Sequence, residues 1–307
     1  MNNNSPESRS DLWSDWLLHT RHAGDPEQER AVRAAIEPYA DRVINGARLA
    51  LGMVMADIGA GDGLVAFRAI DRIGASLRVL LTDISVPLLR HAEALAIQHD
   101  VHEQCTFLNC SAEALTGIED ASVDVVTTRA VLAYVPDKMA ALREFHRILK
   151  PGGRFSIAEP IFRDDAFEAS SLKIMVDSLP AGSEDRFFPF LHRWKAAQFP
   201  DTEEKIARSP ITNFGERDLV RFALDAGFAE IHLEFHIDVR PAMVPSWDVF
   251  LGHSPHPWAP PLSVILAEQF TVEERQWFEH IFRPRVEARQ FVSAERVAYL
   301  TAQKAVA

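Results

Sequence analysis

Cysteine is nearly absent from this chain: its 307 residues include only Cys105 and Cys110. Two thiols five residues apart exclude a disulfide framework and a zinc site built from cysteines alone. They are expected as buried thiols on one strand, in a reducing compartment. Positive charge is also short. Lys and Arg number 32 against 44 Asp and Glu, a formal net charge of −12. So acidic a surface repels phosphate backbones and anionic lipid, which argues against nucleic acid or a membrane surface as the main partner. No apolar run reaches the roughly 18 residues of a membrane span. The start, MNNNSPESRSD, lacks the apolar stretch of a secretory signal and is expected to be disordered, with the cytoplasm as the default location. Apolar bulk is plentiful: hydrophobic residues make up 47%, enough for one large domain or a domain with appendages.

Helix and strand patterns divide the chain. Residues 12–17 and 26–47 carry apolar side chains at helical spacing, an N-terminal helical cap over residues 1–48. From 49 to 160, short apolar strands (53–58, 77–82, 106–109, 123–128, 154–159) alternate with helices (63–73, 86–99, 138–149). That alternation implies a parallel sheet covered on both faces, an α/β doubly wound fold. Residues 161–215 lack strand alternation and read as an insertion. Residues 216–307 resume with a helix at 216–226 and an alternating strand at 231–239. A second insertion near 241–295, rich in Pro, His and Trp, contains a helix starting near Thr271, and a last strand follows at 296–302.

The most specific stretch is VMADIGAGDGLVAF, residues 54–67: a buried strand, a glycine turn, then a helix. Glycines at 59, 61 and 63 allow φ > 0 and close approach of a ligand to the backbone. A dinucleotide fingerprint is G-x-G-x-x-G; here Leu64 stands where its last glycine belongs. Asp57 precedes the turn, and Asp83 ends the next strand about 20 residues on, the spacing at which an acid meets ribose hydroxyls. In an open α/β sheet, ligands bind at the carboxyl ends of such strands. The third strand delivers Ser111, Ala112 and Glu113 there, the fourth Arg129, Ala130 and Tyr134, and the fifth Glu159.

Together DIGAGDG, LTDIS, CSAEAL, SVDVVTTRAVLAYVPD and REFHRILKPGGRF, in this order over residues 54–160, resemble the class I S-adenosylmethionine-dependent methyltransferases, of the small-molecule, UbiE-like type. The resemblance implies a seven-stranded Rossmann-like sheet whose last strand is antiparallel, and S-adenosylmethionine as cofactor. Gly59, Ala60, Gly61 and Gly63 would border its methionine part, and Asp57 its ammonium. Asp83 would take the ribose hydroxyls and Ile84 would pack on the adenine. Ser111, Ala112 and Glu113 would bound the ring, although many relatives carry aspartate where Ser111 stands. Arg129 and Ala130 would lie near the methionine tail. Arg21 or His22, at the end of a lid helix bearing Trp13 and Trp16, would reach its carboxylate.

The acceptor is expected to be a small molecule, methylated on O, N, S or C. Tyr134 and His192 are the candidate catalytic residues, with Glu159, His236, His253 and His256 as further candidate bases. The aromatic runs at 187–194 and 246–258 either line an apolar acceptor pocket or pack the lid against the sheet. Asp164 and Asp165, without further ligands, do not make a metal site, and no metal is expected. A non-catalytic cofactor-binding subunit and an NAD(P)-dependent oxidoreductase are the alternative functions.

Overall fold

The computed structural model describes residues 10–242, 244 and 246–306. The polar start expected to be disordered lies, but for Ser10, outside them. The chain opens with α1 (Leu12–Leu18), capped by Asp11, whose side chain accepts from the Ser14 amide. Next comes α2 (Pro26–Ala47), started by Asp25 as cap and Pro26 in its first turn. Aspartate caps satisfy amides that the first helical turn leaves unpaired.

Strands and helices then alternate: β1 (Val54–Ile58), α3 (Leu64–Ile73), β2 (Arg78–Asp83), α4 (Val86–Gln98), β3 (Cys105–Asn109), β4 (Val123–Arg129), α5 (Lys138–Ile148) and β5 (Leu149–Pro160). After β5 come α6 (Arg163–Asp177), α7 (Phe187–Gln198), α8 (Glu203–Arg208), α9 (Glu216–Asp225) and β6 (Phe228–Pro241). The chain closes through α10 (Trp247–Gly252), α11 (Leu262–Gln269), α12 (Val272–Glu287) and β7 (Val292–Lys304).

All strands share one sheet, in the order β3-β2-β1-β4-β5-β7-β6. The first five are parallel, and β7 runs antiparallel to both β5 and β6. The five parallel strands are what the alternation implies, and the seven-stranded Rossmann-like sheet with an antiparallel last strand is what the resemblance implies. Strand β1 is central and nearly wholly buried, which is why its sequence reads as continuous apolar residues rather than an alternation. Its neighbours Met55 and Ala56 enter opposite layers: Met55 joins α2 and α3, whereas Ala56 joins α5 and α9. Helix α2 lies close on the sheet at Gly46, where a Cβ would fall 2.5 Å from Ser156 Oγ.

Three differences from the sequence reading stand out. Residues 161–210 form three helices, although no helical stripe is legible there. Their apolar side chains contact several neighbours rather than one face: Phe187, Phe190 and Trp194 of α7 join Trp247, Leu262, Phe270, Phe278 and Phe282 in a separate aromatic core. Strands β6 and β7 exceed their expected bounds, because residues 292–296 of β7 pair only with β6 and need no central-sheet signature. The cysteines do not share a strand. Cys105 starts edge strand β3 and is half-buried, whereas Cys110 follows its end and is buried; burial pushes the Cys105 thiol up to about 11.

Among the described residues, no helix is long and apolar enough to cross a membrane.

Candidate functional site

Strands β2, β1 and β4 lie side by side and deliver Asp83, Asp57 and Arg129 to one edge of the sheet, where a cavity opens. Asp57, Gly59, Ala60, Gly61, Asp83, Ile84, Ser111, Ala112, Glu113, Arg129, Ala130 and Tyr134 all line it. Of the expected cofactor residues only Gly63 does not. It caps α3 at φ 79°, and a Cβ there would lie 2.3 Å from the Phe67 ring. Gly59, at φ 64°, would set a Cβ 2.5 Å from Val131 Cγ2. The protein's own packing therefore demands glycine at both positions, before any ligand is considered.

The acids differ in environment. Asp57 Oδ1 accepts from Thr127 Oγ1 at 2.8 Å, but Asp57 Oδ2 is buried with no hydrogen-bond partner. Burial pushes this carboxyl up to about 7, against the pull of Thr127. Asp83 Oδ2 accepts from the Gly61 amide and Oδ1 from the Ser85 amide, each at 2.9 Å. Burial raises its pKa as well, and those two amides oppose the rise. Glu113 Oε1 accepts from the Asp137 amide at 2.8 Å, and the Glu113 amide donates to Ser111 Oγ at 3.2 Å.

Glu159 is fully buried and saturated. It accepts from Thr128 Oγ1 at 2.9 Å and from the amides of Val131 and Ala133, both at 3.1 Å. It holds the turn after β4, in which Ala130 takes φ 56°. That makes Glu159 a brace for the cavity wall, outside the lining.

Two cations face the cavity. Neither the Arg129 nor the Arg21 guanidinium has a hydrogen bond or ion pair among the described residues. The Arg21 guanidinium lies 5.2 Å from the Trp16 ring centroid. Burial, and then repulsion from Arg129, lower Arg21 to about 10. His22 is buried and absent from the lining.

Helix α1 roofs the cavity with Trp13, Trp16 and Leu17. It is tied at both ends: Ser85 Oγ donates to Asp11 Oδ1 at 3.0 Å, and Trp16 Nε1 donates to the Ser254 carbonyl at 3.3 Å. Trp13 meets Tyr134 edge-on, ring centroids 5.3 Å apart, and Trp258 meets Tyr134 at 5.6 Å.

The candidate histidines lie elsewhere. His192, on α7, places Nε2 2.9 Å from Asp201 Oδ2 and does not line the cavity. His236 contacts Glu234 at 3.2 Å on β6. Nε2 of His256 lies 2.8 Å from the Gln198 carbonyl, and burial lowers this histidine to about 4. His253 is lowered to about 4 by burial and by Arg21. Asp164 and Asp165 pair with Arg296 at 3.2 and 3.5 Å. Of the two aromatic runs, 187–194 serves the separate helical core, and only Pro257 of 246–258 lines the cavity. Leu17, Pro136 and Pro257 also line the cavity; they lie in the N-terminal helix, the SVDVVTTRAVLAYVPD segment and the second aromatic run, but nothing in the sequence gives any of them a role of its own.

Residues 50–203 match the family model described as a methyltransferase domain. The Ubiquinone/menaquinone biosynthesis C-methyltransferase UbiE of Brucella anthropi is 36% identical over 108 residues, covering 35% of this chain and 41% of that protein. The protein of the same name from Nitrobacter hamburgensis is 30% identical over 182 residues, covering 58% and 66%. The chain thus spans between 41% and 66% of the length of these two relatives. Among solved structures, the YcgJ protein from Bacillus subtilis shares the fold, with a TM-score of 0.52 at 17% identity, covering 87% of this chain and 97% of that one.

Proposed function

The chain belongs to the methyltransferase-domain family, and from that premise we propose that it transfers a methyl group from S-adenosylmethionine to a small, largely apolar acceptor. One observation carries the reading: a buried, unpartnered carboxylate oxygen on Asp57 faces the same cavity as the unpaired guanidiniums of Arg21 and Arg129. An uncompensated buried carboxylate and two uncompensated cations are costly alone. A zwitterionic amino-acid tail satisfies all three, its ammonium at Asp57 and its carboxylate at the arginines. The donor set therefore fits this cofactor. A dinucleotide has no ammonium to place at Asp57, so the oxidoreductase alternative is set aside.

The remaining roles follow from position. Each Asp83 oxygen accepts one backbone amide and retains a lone pair for a ribose hydroxyl. Ile84, Ala112, Ser111 and Glu113 wall the adenine end. The cofactor supplies the activated methyl on its sulfonium. The chain's part is to align the acceptor for in-line displacement and to exclude water beneath α1.

With Asp57 and Asp83 given to the cofactor, no base is left over among the described lining residues. Asp62 is paired with Arg33 at 3.0 Å, Glu113 is held by the Asp137 amide, and burial raises the Tyr134 phenol far above neutrality. Tyr134 then orients the acceptor through a neutral hydroxyl, and the acceptor brings its own nucleophilicity.

The test is donor carrying a labelled methyl, offered to thiols, amines, phenols and reduced quinones. The phenols and quinones enter because the two relatives are named as ubiquinone and menaquinone C-methyltransferases. Label should move to one class, and S-adenosylmethionine should raise the melting temperature. Stabilisation without transfer to any class would leave a non-catalytic binding subunit. Stabilisation by reduced nicotinamide alone would overturn the assignment.

A further inference from the structure

The two edges of the sheet are unlike. Strand β3 ends one side after five residues, whereas β6 runs 14 residues along the other. No further strand covers β6 among the described residues. Long open edges invite pairing with another chain, and proteins blunt them with prolines, lysines or bulges. Among the described residues of β6, the one bulge sits near the start, where the register slips between Ala229 and His232 and Glu230 takes φ 49°. From His232 to Pro241 the ladder is regular and its outer edge is open. Ile237 and Val239 are 56% and 63% exposed on it.

The side chains of this edge alternate strictly. His232, Glu234, His236, Asp238 and Arg240 share one face; Leu233, Phe235, Ile237, Val239 and Pro241 share the other. Leu233 and Phe235 of the second set pack on the main core. A second copy pairing antiparallel about a twofold axis keeps like faces together only when the axis passes through a residue. Axes at Phe235, His236, Ile237 and Asp238 each pair about seven or more residues of the regular ladder, and the last sets Asp238 against itself, a like-charge clash. An axis at His236 sets Glu234 against Asp238, a like-charge clash. An axis at Phe235 carries the pairing into the bulge. An axis at Ile237 sets Glu234 against Arg240, His236 against Asp238, Phe235 against Val239 and Ile237 against itself, all on regular ladder.

We propose that β6 is a self-recognition edge, through which two copies of this chain join their sheets antiparallel about a twofold axis at Ile237. The occupant is a second copy because the charge order of the strand, acid at 234 and 238 with Arg240, complements itself in this register. The existing contacts are compatible: Arg240 Nη2 pairs with Asp238 at 2.9 Å, and Glu234 with Arg42 and His236, so the cross-strand partners extend groups already aligned on that face.

The full chain, of 34.4 kDa, should show twice that mass by light scattering; a monomer at every concentration overturns the proposal. Directly opposed residues of an antiparallel pair lie about 4.5–5.5 Å apart at Cα, within disulfide range. Ile237→Cys should therefore cross-link to itself under mild oxidation, whereas Val239→Cys and the unaltered chain should not. A dimer without the Ile237→Cys cross-link overturns the register and the edge together. Arg240→Glu should shift the dimer to monomer with the melting temperature of the monomer retained, and Arg240→Lys should restore it. A dimer indifferent to Arg240→Glu places the contact elsewhere.

Discussion

At the scale of the residue, the decisive fact is the asymmetry between two aspartates that the sequence presents as a similar pair. Asp83 is held by two backbone amides, whereas Asp57 keeps one buried oxygen unpaired. The consequence is a pH dependence. The folded Asp57 carboxyl sits at about 7 against 3.8 for the free group. Between those values the folded chain holds a proton that the unfolded chain has released, so stability falls as pH rises through that window. Thermal melts of the ligand-free protein from pH 4 to pH 8 should show the fall, on the order of 4 kcal/mol, and Asp57→Asn should flatten it. Binding of S-adenosylmethionine should tighten as pH rises toward 8, because the ammonium needs the ionised acid. Affinity that stays level across this range would remove Asp57 from the site. Asp83→Asn should weaken the same binding by about 1–3 kcal/mol, read by calorimetry. Tyr134→Phe should lower turnover more than cofactor affinity; unchanged turnover would make it a packing residue.

At the scale of the element, α1 is the part whose role depends most on contacts distant in sequence. Seven residues are too few for a stable isolated helix. Its order rests on the Asp11–Ser85 bond, the Trp16–Ser254 bond and the packing of Trp13 on Tyr134. Trp16→Phe keeps most of the ring and deletes the bond to Ser254. Hydrogen exchange should accelerate in residues 12–22, and cofactor affinity should fall by roughly 0.5–1.5 kcal/mol. Exchange equal to that of the parent would show that packing alone holds the roof. The helix was legible from its cap and apolar spacing. Its place over the cavity is the one expected of a lid helix, but the bonds that hold it there were not legible, since nothing in the sequence pairs Asp11 with Ser85 or Trp16 with Ser254.

At the scale of the molecule, the chain has a sheet sandwiched between two layers and a separate aromatic core built from α7, α10, α11 and α12. Phe278 lies at the centre of that last core, fully buried, with its ring 4.4 Å from Phe282 and 4.8 Å from Phe190 between centroids. Phe278→Ala should cost about 3–5 kcal/mol. The loss should concentrate in the inserted helices. Melting followed by tryptophan fluorescence should lose cooperativity, while S-adenosylmethionine still stabilises the sheet. Uniform destabilisation, with binding lost in parallel, would show the two parts to be one cooperative unit.

The sequence by itself determined the sheet, the glycine turn and the acids at the strand ends. These follow from local rules: apolar runs for buried parallel strands, caps and glycines for the turns, and a fixed spacing from Asp57 to Asp83. Eleven of the twelve expected cofactor residues accordingly meet at one cavity. Only the tertiary structure decided how the lid helix is held over that cavity and which residues serve elsewhere. Arg21 faces the same cavity as Arg129 from the N-terminal cap, and Pro257 reaches it from an insertion whose aromatic residues pack on several sides and leave no periodic trace. Glu159 and His192 show the same limit. A carboxylate at a strand end reads as a reactive group until three donors saturate it, and a histidine reads as a base until its position proves to be outside the wall. Local pattern reports which face a residue takes; it holds no information on what arrives at that face from another part of the chain.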